Sequence, residues 1–198
     1  MVIKRLKTGD KVSDDEFDAI YTRRIREVSK IHFTPVDVAK TASRFLVGKP
    51  GVKVLDVGSG AGKFCMIGAA CTQGFFTGVE QRESFYQLSE LLSGYYRLRN
   101  TTFIHSNIME IEFRQFDAIY FFNSFYENIL QNNPIDGSVK LDKTLYPVYA
   151  QYMREQLNKM PVGTRLATYF SYMCEVPDSF KIQAMGFDGK LKLWEKRF

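Results

Sequence analysis

The chain has 198 residues, 45% of them hydrophobic, which suits one domain with a full core. Its 27 basic and 22 acidic residues leave a net charge of +5, too mild to dictate a polyanionic partner. No apolar run approaches the roughly 18 residues of a membrane span, and the charged start Met1–Lys7 precedes no apolar stretch, so a cytoplasmic protein is expected.

The first 30 residues interleave Lys4, Arg5, Lys7, Lys11, Arg23, Arg24, Arg26 and Lys30 with six acids. That pattern suits a solvated helix face, or a patch for an acidic partner or nucleic acid. Ser13-Asp14-Asp15-Glu16 reads as a capping box opening a helix of about residues 14–30, with Phe17, Ile20, Tyr21, Ile25 and Val28 on one stripe. Thr34 then reads as an N-cap, Pro35 as the first helical residue and Asp37 as a first-turn acid of a helix ending near Leu46. Residues 1–32 are expected to form a helical extension, and 33–198 the main domain.

Strands are expected at Lys53–Val57, Phe75–Glu80, Thr102–His105, Phe116–Phe122 and Thr164–Phe170. Between them the apolar periodicity predicts helices over Gly62–Cys71, Glu83–Leu98 and Leu141–Lys159, with residues 131–140 as a loop or lid. This alternation implies an α/β fold with a parallel, doubly wound sheet. The tail differs, because Phe180–Phe187 and Lys190–Phe198 flank Asp188-Gly189, a hairpin signal. Cys65, Cys71 and Cys174 lack metal-ligand spacing and read as buried reduced thiols, and two histidines, His32 and His105, are too few for a His/Cys metal site.

One segment carries chemistry. Val54-Leu55-Asp56-Val57 runs into Gly58-Ser59-Gly60-Ala61-Gly62, and the next strand ends in Glu80. Glycines permit a tight turn and close backbone approach to a ligand, and the following helix presents unpaired N–H groups. Glu80 stands where a carboxylate can accept the hydroxyls of a ribose. A dinucleotide fingerprint requires a small residue at 63, where Lys63 stands; a phosphate loop requires glycine at 57 and a hydroxyl at 64, where Val57 and Phe64 stand.

The remaining pattern, an acid two positions before G-x-G-x-G and another ending the next strand, resembles the cofactor site of class I S-adenosylmethionine-dependent methyltransferases. The resemblance covers about residues 33–198 and implies a Rossmann-like, mostly parallel seven-stranded sheet closed by an antiparallel hairpin. Only Ser171–Ser179 separate the fifth strand from the hairpin, so the family's usual helix there is expected to be short or absent. The resemblance implies S-adenosylmethionine as cofactor, with contacts from Asp56, Gly58, Ser59, Gly60, Gly62, Glu80, Gln81, Asn107, Ile108 and Asn123. Asp56 would orient the loop and face the cofactor's ammonium. Asn107 beside Ile108 falls where the family holds adenine, though it also suits a turn cap.

Asn123-Ser124-Phe125-Tyr126 is similar to the Asn-Pro-Pro-Tyr tetrad of amino-directed methyltransferases at Asn123 and Tyr126, and departs from it at Ser124 and Phe125. It is also similar to the Asn-Asn-Phe stretch of non-SET histone lysine methyltransferases. The resemblance implies a nitrogen acceptor held by Asn123 and a backbone carbonyl, with Tyr126 as its floor. Alternatively Asn123 merely ends a strand and the aromatics are core. The methyl acceptor stays open between a protein amine, a nucleic-acid base and a small molecule. A non-catalytic cofactor- or partner-binding relative and a nicotinamide oxidoreductase are the rival readings.

Overall fold

In the computed structural model, which describes residues 1–129, 134–171 and 174–198, seven strands make one sheet. They are β1 (Lys53–Val57), β2 (Phe75–Glu80), β3 (Thr101–His105), β4 (Ala118–Phe121), β5 (Arg165–Tyr169), β6 (Phe180–Gly186) and β7 (Leu191–Lys196). Their order is β3-β2-β1-β4-β5-β7-β6, with β1 to β5 parallel and β7 antiparallel to both β5 and β6. This is the mostly parallel sheet with a C-terminal hairpin that the sequence predicts. Alternation explains its unbroken apolar strands. Val54 and Tyr120 enter one core, while Leu55, Val57, Ile119 and Phe121 enter the other.

The first core is covered by α4 (Val36–Leu46), α5 (Lys63–Cys71) and α6 (Glu83–Tyr95), through residues such as Ala39, Ala42, Phe64 and Phe85. Ile3 and Leu6 of α1 (Val2–Thr8), Phe17 of α2 (Asp14–Asp18) and Tyr21 join the same core. α3 (Arg23–His32) adds Ile25 and Val28 at its margin. The second core is covered by α7 (Leu145–Lys159), whose Met153 and Leu157 are fully buried. No helix among the described residues is long and apolar enough to cross a membrane.

Several boundaries differ from the sequence expectation. The helix expected over 14–30 is two helices, α2 and α3. The capping box at Ser13 and Glu16 does form, but the chain breaks after Asp18 so that the Tyr21 hydroxyl can donate to the Ala61 carbonyl at 3.1 Å. Thr34 does not cap α4. Its hydroxyl pairs with that of Tyr120 at 2.7 Å, Pro35 takes the N-cap position, and the Val36 N–H donates to Asp14 at 2.9 Å. Helix α1 escapes a periodicity reading because seven residues supply only two buried side chains, Ile3 and Leu6. α7 begins at Leu145 rather than near Leu141, since the Asp142 carboxylate accepts from the backbone and hydroxyl of Thr144 and holds a turn there. The cysteines are all free, but only Cys65 is buried; Cys71 is half-buried and Cys174 exposed. Of the expected loop at 131–140, residues 131–133 lie outside the described residues.

Candidate functional site

The sheet order reverses between β1 and β4, and a cavity of about 610 Å³ opens beyond the carboxyl ends of the strands at that point. The glycine loop forms one wall. Gly58 and Gly60 have φ of +78° and +54°, a region that L side chains avoid. A Cβ on Gly58 would stand 2.5 Å from that of Ser124, and one on Gly60 would stand 2.8 Å from the Phe33 ring. Both the torsion and the space therefore require glycine. The loop is fastened to β2, where the Val79 carbonyl accepts from the N–H groups of Gly58 and Ser59 at 3.1 and 2.9 Å.

Glu80 is buried at the end of β2 and fastens the same loop. Its two oxygens accept from the backbone N–H groups of Gly60 at 2.9 Å and Arg82 at 2.8 Å. Burial pushes its carboxyl up, against the opposing pull of those N–H groups and of the Arg82 guanidinium. Asp56, on β1, is also buried and accepts from the Cys65 thiol at 3.4 Å. Burial pushes its carboxyl up to about 7, and the Glu80 charge adds to the rise.

Asp56, Gly58, Ser59, Gly60, Glu80, Gln81, Asn107, Ile108, Asn123 and Tyr126 all line the cavity. Gly62 does not; it caps α5, and a Cβ there would meet Phe103 at 2.8 Å, so this glycine serves close packing of helix on sheet. The Asn107 side chain accepts from the Met109 N–H at 3.0 Å and donates to the Tyr149 hydroxyl at 2.8 Å, so the turn cap forms while the residue faces the cavity.

The adjoining wall comes from the end of β4, which pairs with β1. Asn123 has φ +29° and ψ +39°, and its amide donates to the Phe170 carbonyl at 2.9 Å; Phe170 is itself at φ +54°. Two non-glycine residues with positive φ, joined by one hydrogen bond, concentrate backbone strain at this end of the cavity. Oδ1 of Asn123 and Oγ of Ser59 are buried with no hydrogen-bond partner among the described residues. Such atoms are costly unless a ligand meets them. The Ser124 hydroxyl donates to the Val57 carbonyl at 3.0 Å, and the Tyr126 ring lies edge-on to Tyr146 with centroids 6.4 Å apart.

Sequence reasoning misses four contributors. Lys63, which in the sequence only breaks a fingerprint, is buried at the start of α5 and lies 2.8 Å from both Asp14 and Asp18. Arg82 is buried among Glu80, Glu127 and Asp136. Lys190 and Lys192 of the hairpin line the outer end of the cavity, Lys190 standing 5.4 Å from the Phe170 ring centroid. Buried ion pairs between distant segments leave no local pattern to find.

No protein-family model matches the sequence, and no curated protein matches it significantly. Solved structures do match. TrmN from Thermus thermophilus is similar at a TM-score of 0.60 and 17% identity, over 88% of this chain and 52% of its own. An RNA methyltransferase from Salinibacter ruber, in complex with S-adenosyl-L-homocysteine, is similar at 0.57 and 14% identity, over 83% of this chain and 93% of its own. A SAM-dependent O-methyltransferase from Thermotoga maritima gives 0.54 and 17% identity, over 89% of this chain and 71% of its own. The chain thus spans about half the length of TrmN and nearly all of the Salinibacter protein. What is shared at these identities is the fold.

Proposed function

We propose that this chain, whose fold is that of the Rossmann-like class I methyltransferases, binds S-adenosylmethionine and methylates a nitrogen acceptor. The observation that carries the reading is one cavity with two equipped walls: the Glu80-fastened glycine loop, and Oδ1 of Asn123, which has no hydrogen-bond partner among the described residues. Bound there, S-adenosylmethionine would supply a methyl group already activated on a sulfonium. The residues fit that ligand. Glu80 keeps lone pairs for ribose hydroxyls beyond the N–H groups it already accepts. Asp56 offers a buried anion to an ammonium, and Asn107 with Ile108 edges the place for adenine.

The chain's remaining task is alignment rather than covalent catalysis. Asn123 Oδ1 accepts an N–H of the acceptor, which directs the nitrogen lone pair and stabilises charge developing on nitrogen. Because Phe170 holds the other end of the same amide, this oxygen is fixed before an acceptor arrives. Tyr126 supplies an aromatic surface beside it, and cavity walls of Phe122 and Phe125 exclude water. The similar structures include both an RNA methyltransferase and an O-methyltransferase, so the fold alone does not choose the acceptor and the case for nitrogen rests on Asn123.

Radiolabelled-methyl transfer into fractions of a cell extract tests the activity. Labelling by the wild-type chain supports transfer. In the labelled fraction, Asn123→Ala should lower the rate by about 100-fold while changing S-adenosylhomocysteine affinity less than tenfold. Full transfer by that variant would remove Asn123 from the mechanism. Cofactor binding without label in any fraction would favour a non-catalytic relative.

A further inference from the structure

Arg82 is 4% exposed, yet nothing in the glycine-loop reading requires an arginine there. Its guanidinium meets carboxylates from three parts of the chain. Nη2 lies 2.8 Å from each oxygen of Glu127, Nε lies 3.2 Å from Asp136, and Nη1 lies 3.8 Å from Glu80. Each carboxylate also holds backbone. Glu80 holds the glycine loop through the Gly60 N–H, Glu127 accepts the Ile135 N–H at 2.9 Å, and Asp136 accepts the Ser138 N–H at 3.0 Å. Glu127 directly follows Tyr126 in the 3-10 turn Ser124–Asn128, and Ile135 lines the cavity.

One cation among three carboxylates leaves excess negative charge where little water reaches. Only a planar fork with several donors can engage all three at once; a lysine ammonium would satisfy fewer.

We propose that Arg82 is a positioning residue that joins the ribose-side carboxylate to the wall bearing Tyr126 and to the segment 134–138, so that filling the adenosyl end of the cavity also sets its acceptor end. The inference rests on the cofactor reading above. Hydroxyls donated to Glu80 by a ribose take up charge that Arg82 otherwise shares. The guanidinium is then drawn more fully to Glu127 and Asp136, which tightens Ile135 over the cavity.

Hydrogen exchange at the Ile135 and Ser138 amides, with and without S-adenosylhomocysteine, tests this alongside calorimetry on the same samples. In the wild-type chain the ligand should slow exchange at both amides. Arg82→Met should weaken binding by about tenfold or more and abolish the slowing, and Arg82→Lys should keep the fold without restoring it. Asp136→Asn leaves the Arg82–Glu127 pair intact. It should bind within about threefold of wild type yet lose at least about half of the slowing at Ile135, and it carries the test if Arg82→Met fails to fold. Wild-type binding with no slowing, or variants with undiminished slowing, would overturn the coupling and leave the cofactor reading standing. Absence of wild-type binding would overturn the cofactor reading itself, and the coupling with it.

Discussion

Asp56 sits at the loop entrance with its carboxyl raised from an ordinary 3.8 to about 7, chiefly by burial. A carboxyl raised on folding gives stability that is fully present below the unfolded value and is lost as pH climbs from about 4 through about 7. Asp56→Asn should therefore unfold at higher temperature than wild type at pH 8 and match it near pH 4. The gain at pH 8 should be a few kcal/mol, since each tenfold change in proton affinity is worth about 1.4 kcal/mol. Thermal scans across that range check it, and equal midpoints at pH 8 would contradict it. The same ionisation should serve the cofactor. Affinity for the cationic ligand should rise with pH through about 7 in wild type and depend less on pH in Asp56→Asn, where Glu80 is the raised carboxyl that remains, as read by calorimetry. At Gly58, alanine would meet Ser124 as well as an unfavourable φ, so Gly58→Ala should lose cofactor binding and about 1–2 kcal/mol of stability. These residues are legible in the sequence because glycine and carboxylate spacing is local. The positive φ of Asn123 is not, since it depends on a hydrogen bond to Phe170, 47 positions away.

Among the elements, the N-terminal helices bear on the site more than their sequence suggests. α2 holds α5 through Lys63, whose side chain is 3% exposed beside Asp18 at 6%. Removing one partner from a buried pair leaves a stranded charge, so Lys63→Ala should cost about 3–5 kcal/mol in urea unfolding. The double variant Lys63→Met with Asp18→Asn should recover most of that loss. A Lys63→Ala chain within about 0.5 kcal/mol of wild type would show that the pair does not hold α2 to α5. The parallel strands and the hairpin follow from periodicity and from Asp188-Gly189. The break of the 14–30 helix does not, because Phe17, Ile20, Tyr21, Ile25 and Val28 keep a helical stripe across it and still reach one core. The Thr34-Pro35 cap misleads for a related reason: Asp14, distant in sequence, satisfies the start of α4 and frees the Thr34 hydroxyl for Tyr120.

Across the molecule, the reversal of strand order between β1 and β4 determines where the cavity lies, and two of the buried side-chain atoms left without a hydrogen-bond partner among the described residues border it. Two raised carboxyls, and a hydroxyl and an amide oxygen that are orphans among the described residues, border the same space. Natural folds keep such groups where a ligand repays the loss. The short link between β5 and β6 holds no helix among the described residues, so the outer end of the cavity is bordered by the hairpin residues Asp188, Lys190 and Lys192 instead. The decisive check is a crystal structure of the chain soaked with S-adenosylhomocysteine. We expect the nucleoside against the Gly58–Gly60 loop, its ribose hydroxyls on Glu80 and its sulfur toward Asn123. Clear density for the ligand elsewhere, or NAD binding in this cavity while the adenosyl compound is refused, would contradict that placement.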